Sequence, residues 1–140
     1  MSRMNNKNFT AGILALTMGN LEANLLDDSA KLEERYGQPV LVGHDFTNLE
    51  TRTYKSGDYI IHALVANERY SYGLYENKCV QQWTKRSDGK MLSSDEVEKL
   101  LERQPNSGQW KFQGNNTWKM RDSVIANLSS DGKLLSEKVK

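Results

Sequence analysis

The segment Tyr59-Ile-Ile-His-Ala-Leu-Val-Ala66 is apolar at almost every position and sets the architecture of the rest of the chain. A run of this length, rich in Ile and Val, is typical of a strand that is buried on both faces. Before it, Ser56-Gly57-Asp58 favours a turn, and residues 51–55 alternate like a strand. The sequence therefore predicts a hairpin whose second strand lies centrally in an antiparallel sheet.

Two short helices are predicted, one before this hairpin and one after it. The first takes its N-cap from Asp27-Asp28-Ser29 and ends at Gly37, where a left-handed backbone conformation closes the helix. The second lies in Leu92-Ser-Ser-Asp-Glu-Val-Glu-Lys-Leu-Leu-Glu-Arg103. Here Ser93 and Glu96 have the spacing of a capping box, in which each side chain binds the backbone N–H of the other.

Further strands are predicted from alternation and flanking turn residues, at 40–42, 70–75, 109–113, 117–120, 123–128 and 134–139. In the second of these, alternation places Tyr70, Tyr72 and Leu74 on one face and Tyr75 on the other. A polar stretch at residues 85–91 marks a seam between two halves, each a helix followed by strands. The predicted fold class is α+β, an antiparallel sheet with two short helices packed on one face.

The amino terminus has the layout of a secretory signal. Arg3 and Lys7 precede an apolar run at residues 9–18, and cleavage is expected after Ala23. Residues 1–23 are therefore predicted to be a signal segment and 24–140 a single domain, exported to the periplasm or beyond. The run is too short to span a bilayer, so no integral membrane segment is expected in the mature chain. The alternative is an ordinary amino-terminal helix of a cytoplasmic protein.

Composition excludes several functional classes. The 140 residues are 37% hydrophobic and 26% charged, as in an ordinary globular domain. Because 19 Lys and Arg residues balance 18 Asp and Glu residues, a nucleic-acid partner is not expected. The single cysteine, Cys79, permits neither an internal disulfide nor a multi-cysteine metal site.

Four motifs carry a family resemblance: Leu32-Glu-Glu-Arg-Tyr-Gly37, Thr53-Tyr-Lys-Ser-Gly57, Leu92-Ser-Ser-Asp-Glu96 and Ser107-Gly-Gln-Trp110. Their order over residues 24–139 resembles that of small exported bacterial proteins with the helix-then-meander layout of the beta-lactamase inhibitory protein and of small outer-membrane assembly lipoproteins. The chain departs from that pattern by carrying Cys79-Val-Gln-Gln-Trp-Thr-Lys-Arg86 and by lacking a lipid-bearing cysteine near the cleavage site. The resemblance implies a fold and export, and it implies no catalytic residue.

No catalytic constellation is predicted. His44 and Asp45 are neighbours expected in a polar loop, and strand neighbours point to opposite faces. His62 is expected to be buried with one backbone or tyrosine partner, and Cys79 to be a small buried hydrophobic residue. Neither a metal ion nor a cofactor is expected, because the spacing of these residues matches no zinc site and no phosphate-binding loop.

Aromatic residues on the predicted strands supply the binding candidates. Trp110 with Phe112, and Trp118 with Met120, are predicted to point into the core. The candidates for an exposed contact surface combine aromatic rings with positive charge, and they are Trp83, Lys85, Arg86, Tyr72 and Tyr75.

The favoured interpretation is a non-catalytic exported domain that binds a protein partner through a sheet face or this aromatic and basic patch. One alternative is a hydrolase of cell-wall or sugar polymers that uses His44 or His62 with a carboxylate. Another is a small-ligand carrier with a cavity between helix and sheet.

Overall fold

A computed structural model describes residues 25–102, 110–120 and 124–139. The elements in chain order are α1 (Ser29–Tyr36), β1 (Leu41–His44), β2 (Glu50–Ser56), β3 (Tyr59–Val65), a 3-10 turn (Tyr70–Gly73), β4 (Cys79–Arg86), α2 (Ser94–Glu102), β5 (Lys111–Gly114), β6 (Thr117–Met120), β7 (Val124–Leu128) and β8 (Leu135–Val139). The eight described strands form one antiparallel sheet in the order β1-β2-β3-β4-β8-β7-β6-β5. The predicted α+β class and antiparallel sheet are confirmed.

The apolar segment forms the central strand that the sequence predicts. Strand β3 pairs with β2 on one side and with β4 on the other. The β2–β3 hairpin closes with Ser56 opposite Tyr59, so that Gly57 and Asp58 form a two-residue turn. Gly57 has a φ of 60°, which suits a residue without a Cβ atom.

Both helices begin with the predicted caps. The Asp28 side chain accepts a 2.9 Å hydrogen bond from the Lys31 N–H, and α1 is followed by Gly37 with a φ of 84°. At α2 the Ser93 hydroxyl accepts from the Glu96 N–H at 3.1 Å, while the Ser93 N–H donates to the Glu96 carboxylate at 3.0 Å. The reciprocal bonds confirm the capping box.

Three apolar clusters form the core. The first joins α1 to the strands of the first half and contains Leu32, Tyr54, Ile61, Ala63, Val65 and Cys79. The second joins α2 to the strands of the second half and contains Leu92, Val97, Leu101, Ala126 and Leu135. The third contains Leu49, Leu64, Ala66 and Val80, with Tyr70, Tyr75 and Trp83 packed against it.

The predicted strand at residues 70–75 is wrong. Residues Tyr70–Gly73 form a 3-10 turn in which Ser71 and Tyr72 have φ values of 48° and 58°. These left-handed conformations cannot continue a strand. The partner of β3 is instead Cys79–Arg86, so residues 85 and 86 lie in a strand and not in the polar seam.

The later strands lie close to their predicted positions. Trp118 packs against the second cluster and Met120 is buried, as expected. Trp110 also packs there, and its indole N–H donates a 2.7 Å hydrogen bond to the Leu101 carbonyl. Phe112 is not buried as predicted, since its side chain is 62% exposed at the edge strand β5, where its ring contacts Trp118. The predicted signal segment 1–23, the chain break after α2 and the turn at 121–122 lie outside the described residues.

Neither α1 nor α2 has the length or the apolar character of a bilayer-crossing helix, and the described ranges contain no other α-helix.

Candidate functional site

The sheet pairing sorts strand side chains onto two faces. Directly paired residues of neighbouring strands point to the same side, and successive residues of one strand alternate. One row of paired residues runs across six strands, through Thr53, His62, Trp83, Ser136, Asn127 and Thr117. The opposite side, here called the core face, has a row through Tyr54, Ile61, Thr84, Leu135 and Leu128.

All charged side chains at the described strand positions of the first side are lysines. The pairing places there Lys55 and Lys85, on either side of Ile60, and then Lys138, Lys119 and Lys111. We call this side the lysine face. Lys55, Lys85, Lys138 and Lys111 are exposed, and no ion pair joins any of these four to a carboxylate of residues 25–102, 110–120 or 124–139.

Charges on the core face are balanced and have partners. Arg52 binds Glu50 and, from α1, Glu33, each at 2.7 Å. Arg86 binds Asp88 and, from α2, Glu96, also at 2.7 Å. These acidic partners raise the pKa of Arg86 and keep it cationic. The ion pairs of Arg52 and Arg86 therefore join strands of the core face to α1 and α2.

Trp83 lies at the centre of the lysine face and is half-buried. It packs against the third cluster together with Tyr70 and Tyr75, whose rings are 6.4 Å apart. Beside Tyr70 is a cavity of about 380 Å³ that opens between the turn and strands β4, β8 and β7. Its lining includes Tyr70, Gln81, Ile125, Asn127, Ser136 and Lys138.

A second cavity, of about 330 Å³, also borders Tyr70. It is lined by residues of the loop after β1 and the loop after β3, namely Thr47, Asn48, Leu49, Asn67, Arg69 and Tyr70. Both cavities therefore border the 3-10 turn. The small-ligand alternative expected a cavity between helix and sheet, whereas these cavities involve the turn and loops.

The structure brings only some of the predicted contact residues together. Trp83 and Lys85 share the lysine face, and Tyr75 packs in the same cluster as Trp83. Arg86 points to the core face, because it follows Lys85 directly in the strand and pairs with Tyr59. Tyr72 stands fully exposed on the 3-10 turn.

The histidines do not converge on one cleft. His44 is the last residue of β1 and is paired with Glu50, a core-face residue. His62 lies on the lysine face, half-buried, with its Nδ1 3.0 Å from the Thr53 hydroxyl. The predicted backbone or tyrosine partner of His62 is thus replaced by a threonine. Burial, with a smaller contribution from the Lys85 charge, lowers the pKa of His62 and favours its neutral form.

Cys79 is fully buried in the first cluster, as predicted. Burial raises the pKa of its thiol to about 12, so the thiol stays protonated at neutral pH and is a poor nucleophile. Within the described ranges no group of three or more His, Cys, Asp or Glu residues is arranged to hold a metal ion.

Sequence reasoning missed Lys55, Gln81 and Lys138 as members of this surface. Part of the signal was present, because the Ser56-Gly57-Asp58 turn fixes Lys55 opposite Ile60. Lys138 was not predictable in this way, since its neighbour Gln81 belongs to a strand more than fifty residues away in sequence.

No protein-family model, curated protein or solved structure matches the chain. The resemblance to the beta-lactamase inhibitory protein layout therefore remains an expectation.

Proposed function

We propose that this chain is a non-catalytic, exported domain that binds an acidic surface of a protein partner through its lysine face. One observation carries the proposal: the described strand positions of that face hold lysines and no carboxylates. Export is proposed from the pattern of residues 1–23 in the sequence.

The lysine face is open to a partner if both helices lie on the other side, and we propose that they do. Tyr59 belongs to the core face, where it is followed at alternate positions by Ile61 and Ala63 of the first cluster. Tyr59 packs against both the first and the second cluster, and its hydroxyl donates a 2.7 Å hydrogen bond to Glu96 of α2. These contacts support the packing of α1 and α2 on the core face.

Trp83 and the cavity beside Tyr70 supply the centre of the proposed interface. Tryptophan and tyrosine contribute large apolar area with few rotatable bonds, and they are enriched among residues that dominate binding energy. Lys138 lines the same cavity, so an acidic side chain that enters it meets a cation and the Gln81 and Asn127 amides. Such hydrogen-bonded charge pairs are stronger than neutral ones.

A protein partner fits this charge distribution better than a nucleic acid does. Nucleic-acid affinity grows with the number of phosphates neutralised, and nucleic-acid binders usually carry a large excess of basic residues. This chain has a net charge of +1, so its positive potential is local to one face. Local charge complementarity is characteristic of protein interfaces, where it orients the partner and speeds association.

The test compares binding of a glutamate-rich peptide, single-stranded DNA of equal charge and free glutamate to the full chain, read by Trp83 fluorescence in a Trp110→Phe/Trp118→Phe background. We expect the peptide to bind more tightly than either competitor. Lys85→Glu/Lys138→Glu should weaken peptide binding by at least about tenfold, because two attractive contacts become repulsive. Lys31→Glu/Lys99→Glu is the matched control, since it makes the same charge change at exposed positions on the two helices.

Three results would contradict the proposal. Tighter binding of DNA than of peptide would make the lysine face a nucleic-acid surface. Equal binding of free glutamate and peptide would indicate a small-ligand carrier that uses the cavity beside Tyr70. Equal loss of binding in the helix control and the face variant would mean that net charge, and not the lysine face, attracts the peptide.

A further inference from the structure

The free edge at strand β1 exposes an unusual amount of apolar surface. Strand β1 is the first strand of the sheet, so one side of its backbone has no neighbouring strand among the described residues. The exposed fractions are 66% at Val40, 65% at Leu41, 50% at Val42 and 99% at Phe46. An exposed apolar edge can pair with another strand unless charge, proline or a bulge prevents it.

Hydrogen bonding between β1 and β2 shows which backbone groups face outward. The Asp45 N–H donates to the Leu49 carbonyl at 3.0 Å, so these two residues form a hydrogen-bonded pair. Gly43 and Thr51 are the pair two residues further along the same register, and they are therefore also a hydrogen-bonded pair. Hydrogen-bonded and non-hydrogen-bonded pairs alternate along an antiparallel ladder. The N–H and C=O groups of Val42 and His44 therefore point away from β2 and are available to another strand.

We infer that β1 pairs antiparallel with β1 of a second copy of this chain, about a twofold axis at Gly43. In that register Val42 lies opposite His44 of the second copy, so the outward backbone groups of both residues form hydrogen bonds with each other. Gly43 lies opposite itself at a non-hydrogen-bonded pair, where the two Cα atoms come closest, about 4.5 Å apart. The absence of a side chain at Gly43 makes this approach easy.

The same register brings the exposed apolar residues together. Val40 and Phe46 lie three residues before and three residues after Gly43, so the twofold axis places Val40 of one copy beside Phe46 of the other. The side chains of residues 40, 41, 42 and 46 expose on the order of 500 Å² of apolar surface per copy, as large as the main patch of a typical monomer. A twofold contact that covered all of this surface would remove about 1,000 Å² in total, which is about the minimum for a biological interface.

Charge also permits this contact. Val42 lies between Arg52 and the new strand, and His44 of the second copy lies next to its own Glu50. Across the contact the side chains follow one another as Arg52 and Val42 of one copy, and then His44 and Glu50 of the other. The two ends of this row carry opposite charges, and no two like charges are adjacent. Strand β5, at the other edge, is different: it carries Lys111 and a bulge between Phe112 and Gly114, two features that discourage edge pairing.

The test is the mass of the full chain in solution as a function of concentration, by light scattering and sedimentation. We expect a monomer–dimer equilibrium for the unmodified chain. Val42→Pro should raise the dimer dissociation constant at least about tenfold, because it removes an outward N–H that makes no bond to β2. Val42→Thr, which keeps the N–H and the branched shape, is the matched control and should still dimerise.

Hydrogen exchange identifies the interface independently. The amides of Val42 and His44 should be protected at high protein concentration and should exchange rapidly on dilution. A chain that stays monomeric at high concentration would overturn the inference, as would a Val42→Pro variant that dimerises like the unmodified chain. Protection of these two amides in the monomer would mean that another part of the same chain covers the edge. Far-UV circular dichroism of Val42→Pro, compared with that of the unmodified chain, is the control for folding.

Discussion

Neighbouring residues with the same charge have different roles in this chain because a strand turns successive side chains to opposite faces. The sequence places Lys85 and Arg86 side by side and predicts that both belong to one aromatic and basic contact surface. In the sheet, Lys85 lies on the lysine face, and Arg86 bridges Asp88 and Glu96 on the other side. The sequence predicts a contact role for both residues, but only the pairing register of β3 and β4 shows that they lie on opposite faces of the sheet.

Glu96 joins three features of the fold and provides a test at this scale. It accepts hydrogen bonds from the Ser93 N–H, the Tyr59 hydroxyl and Arg86. Partial burial favours the neutral form of Glu96, but these donors outweigh burial and lower the pKa of the carboxyl. Because the pKa is lower in the folded chain than in the unfolded chain, ionised Glu96 stabilises the fold above the ordinary glutamate pKa. That contribution is lost as the pH falls through the lowered value.

We therefore expect Glu96→Gln to lower the free energy of unfolding by about 1 kcal/mol at neutral pH, and by less in acid. Urea denaturation at neutral pH and near pH 3 measures both differences, since about 4.3 is the unperturbed pKa of glutamate. Glu98→Gln is the control, an exposed carboxylate on the same helix, and should change stability by less than about 0.5 kcal/mol at either pH. A Glu96→Gln effect that did not depend on pH would contradict this account.

At the level of elements, local chemistry made the helices predictable and left one strand wrongly assigned. A helix start is specified within four residues, so Ser93 and Glu96 were sufficient to place α2. The segment from Tyr70 to Tyr75 alternates in sequence as a strand does, yet it forms a turn. Its Asn67 cap supports that turn, since the Asn67 side chain accepts from the N–H groups of Arg69 and Tyr70. The segment Cys79–Arg86 pairs with β3 in place of residues 70–75. This pairing between distant segments is not visible in the local sequence.

The β2–β3 turn gives a prediction for a single element. Gly57 has a positive φ and Asp58 does not, which is the pattern of a II′ turn with glycine at its first central position. A Cβ atom at Gly57 would meet nothing within 4 Å, so a substitution costs backbone strain and no steric clash with a neighbour. We expect Gly57→Ala to lower the free energy of unfolding by about 1–2 kcal/mol. Urea denaturation measures this loss.

Asp58→Ala is the matched control for that turn. Asp58 is exposed, and the hydrogen bond that it accepts from Ser87 uses its backbone carbonyl, which alanine retains. The control should therefore change the free energy of unfolding by less than about 0.5 kcal/mol. If the two variants were equally destabilised, the cost would arise from sequence change in the turn and not from the conformation of Gly57.

The described part of the chain repeats one order of elements: α1 is followed by four strands, and α2 is followed by four strands. The sequence predicts this order, although the last two residues of β4, Lys85 and Arg86, lie within the predicted polar seam at residues 85–91. The last strands of the two halves, β4 and β8, pair with each other, so the eight strands form a single sheet. At this junction the Gln82 amide donates a 3.1 Å hydrogen bond to Glu137, which is 1% exposed. This contact between residues 55 positions apart could not be read from local patterns.

We expect the two halves to unfold together, because β4 and β8 pair directly and a buried hydrogen bond joins Gln82 of one half to Glu137 of the other. Trp83 reports on the first half when Trp110 and Trp118 are replaced by Phe, and those two residues report on the second half in a Trp83→Phe chain. In each chain the fluorescence and far-UV circular dichroism midpoints should coincide. Glu137→Ala should lower both midpoints and reduce the free energy of unfolding by about 3 kcal/mol, since it leaves the buried Gln82 amide without this acceptor. A Trp83 transition that persisted after the second half had unfolded would establish two independent folding units instead.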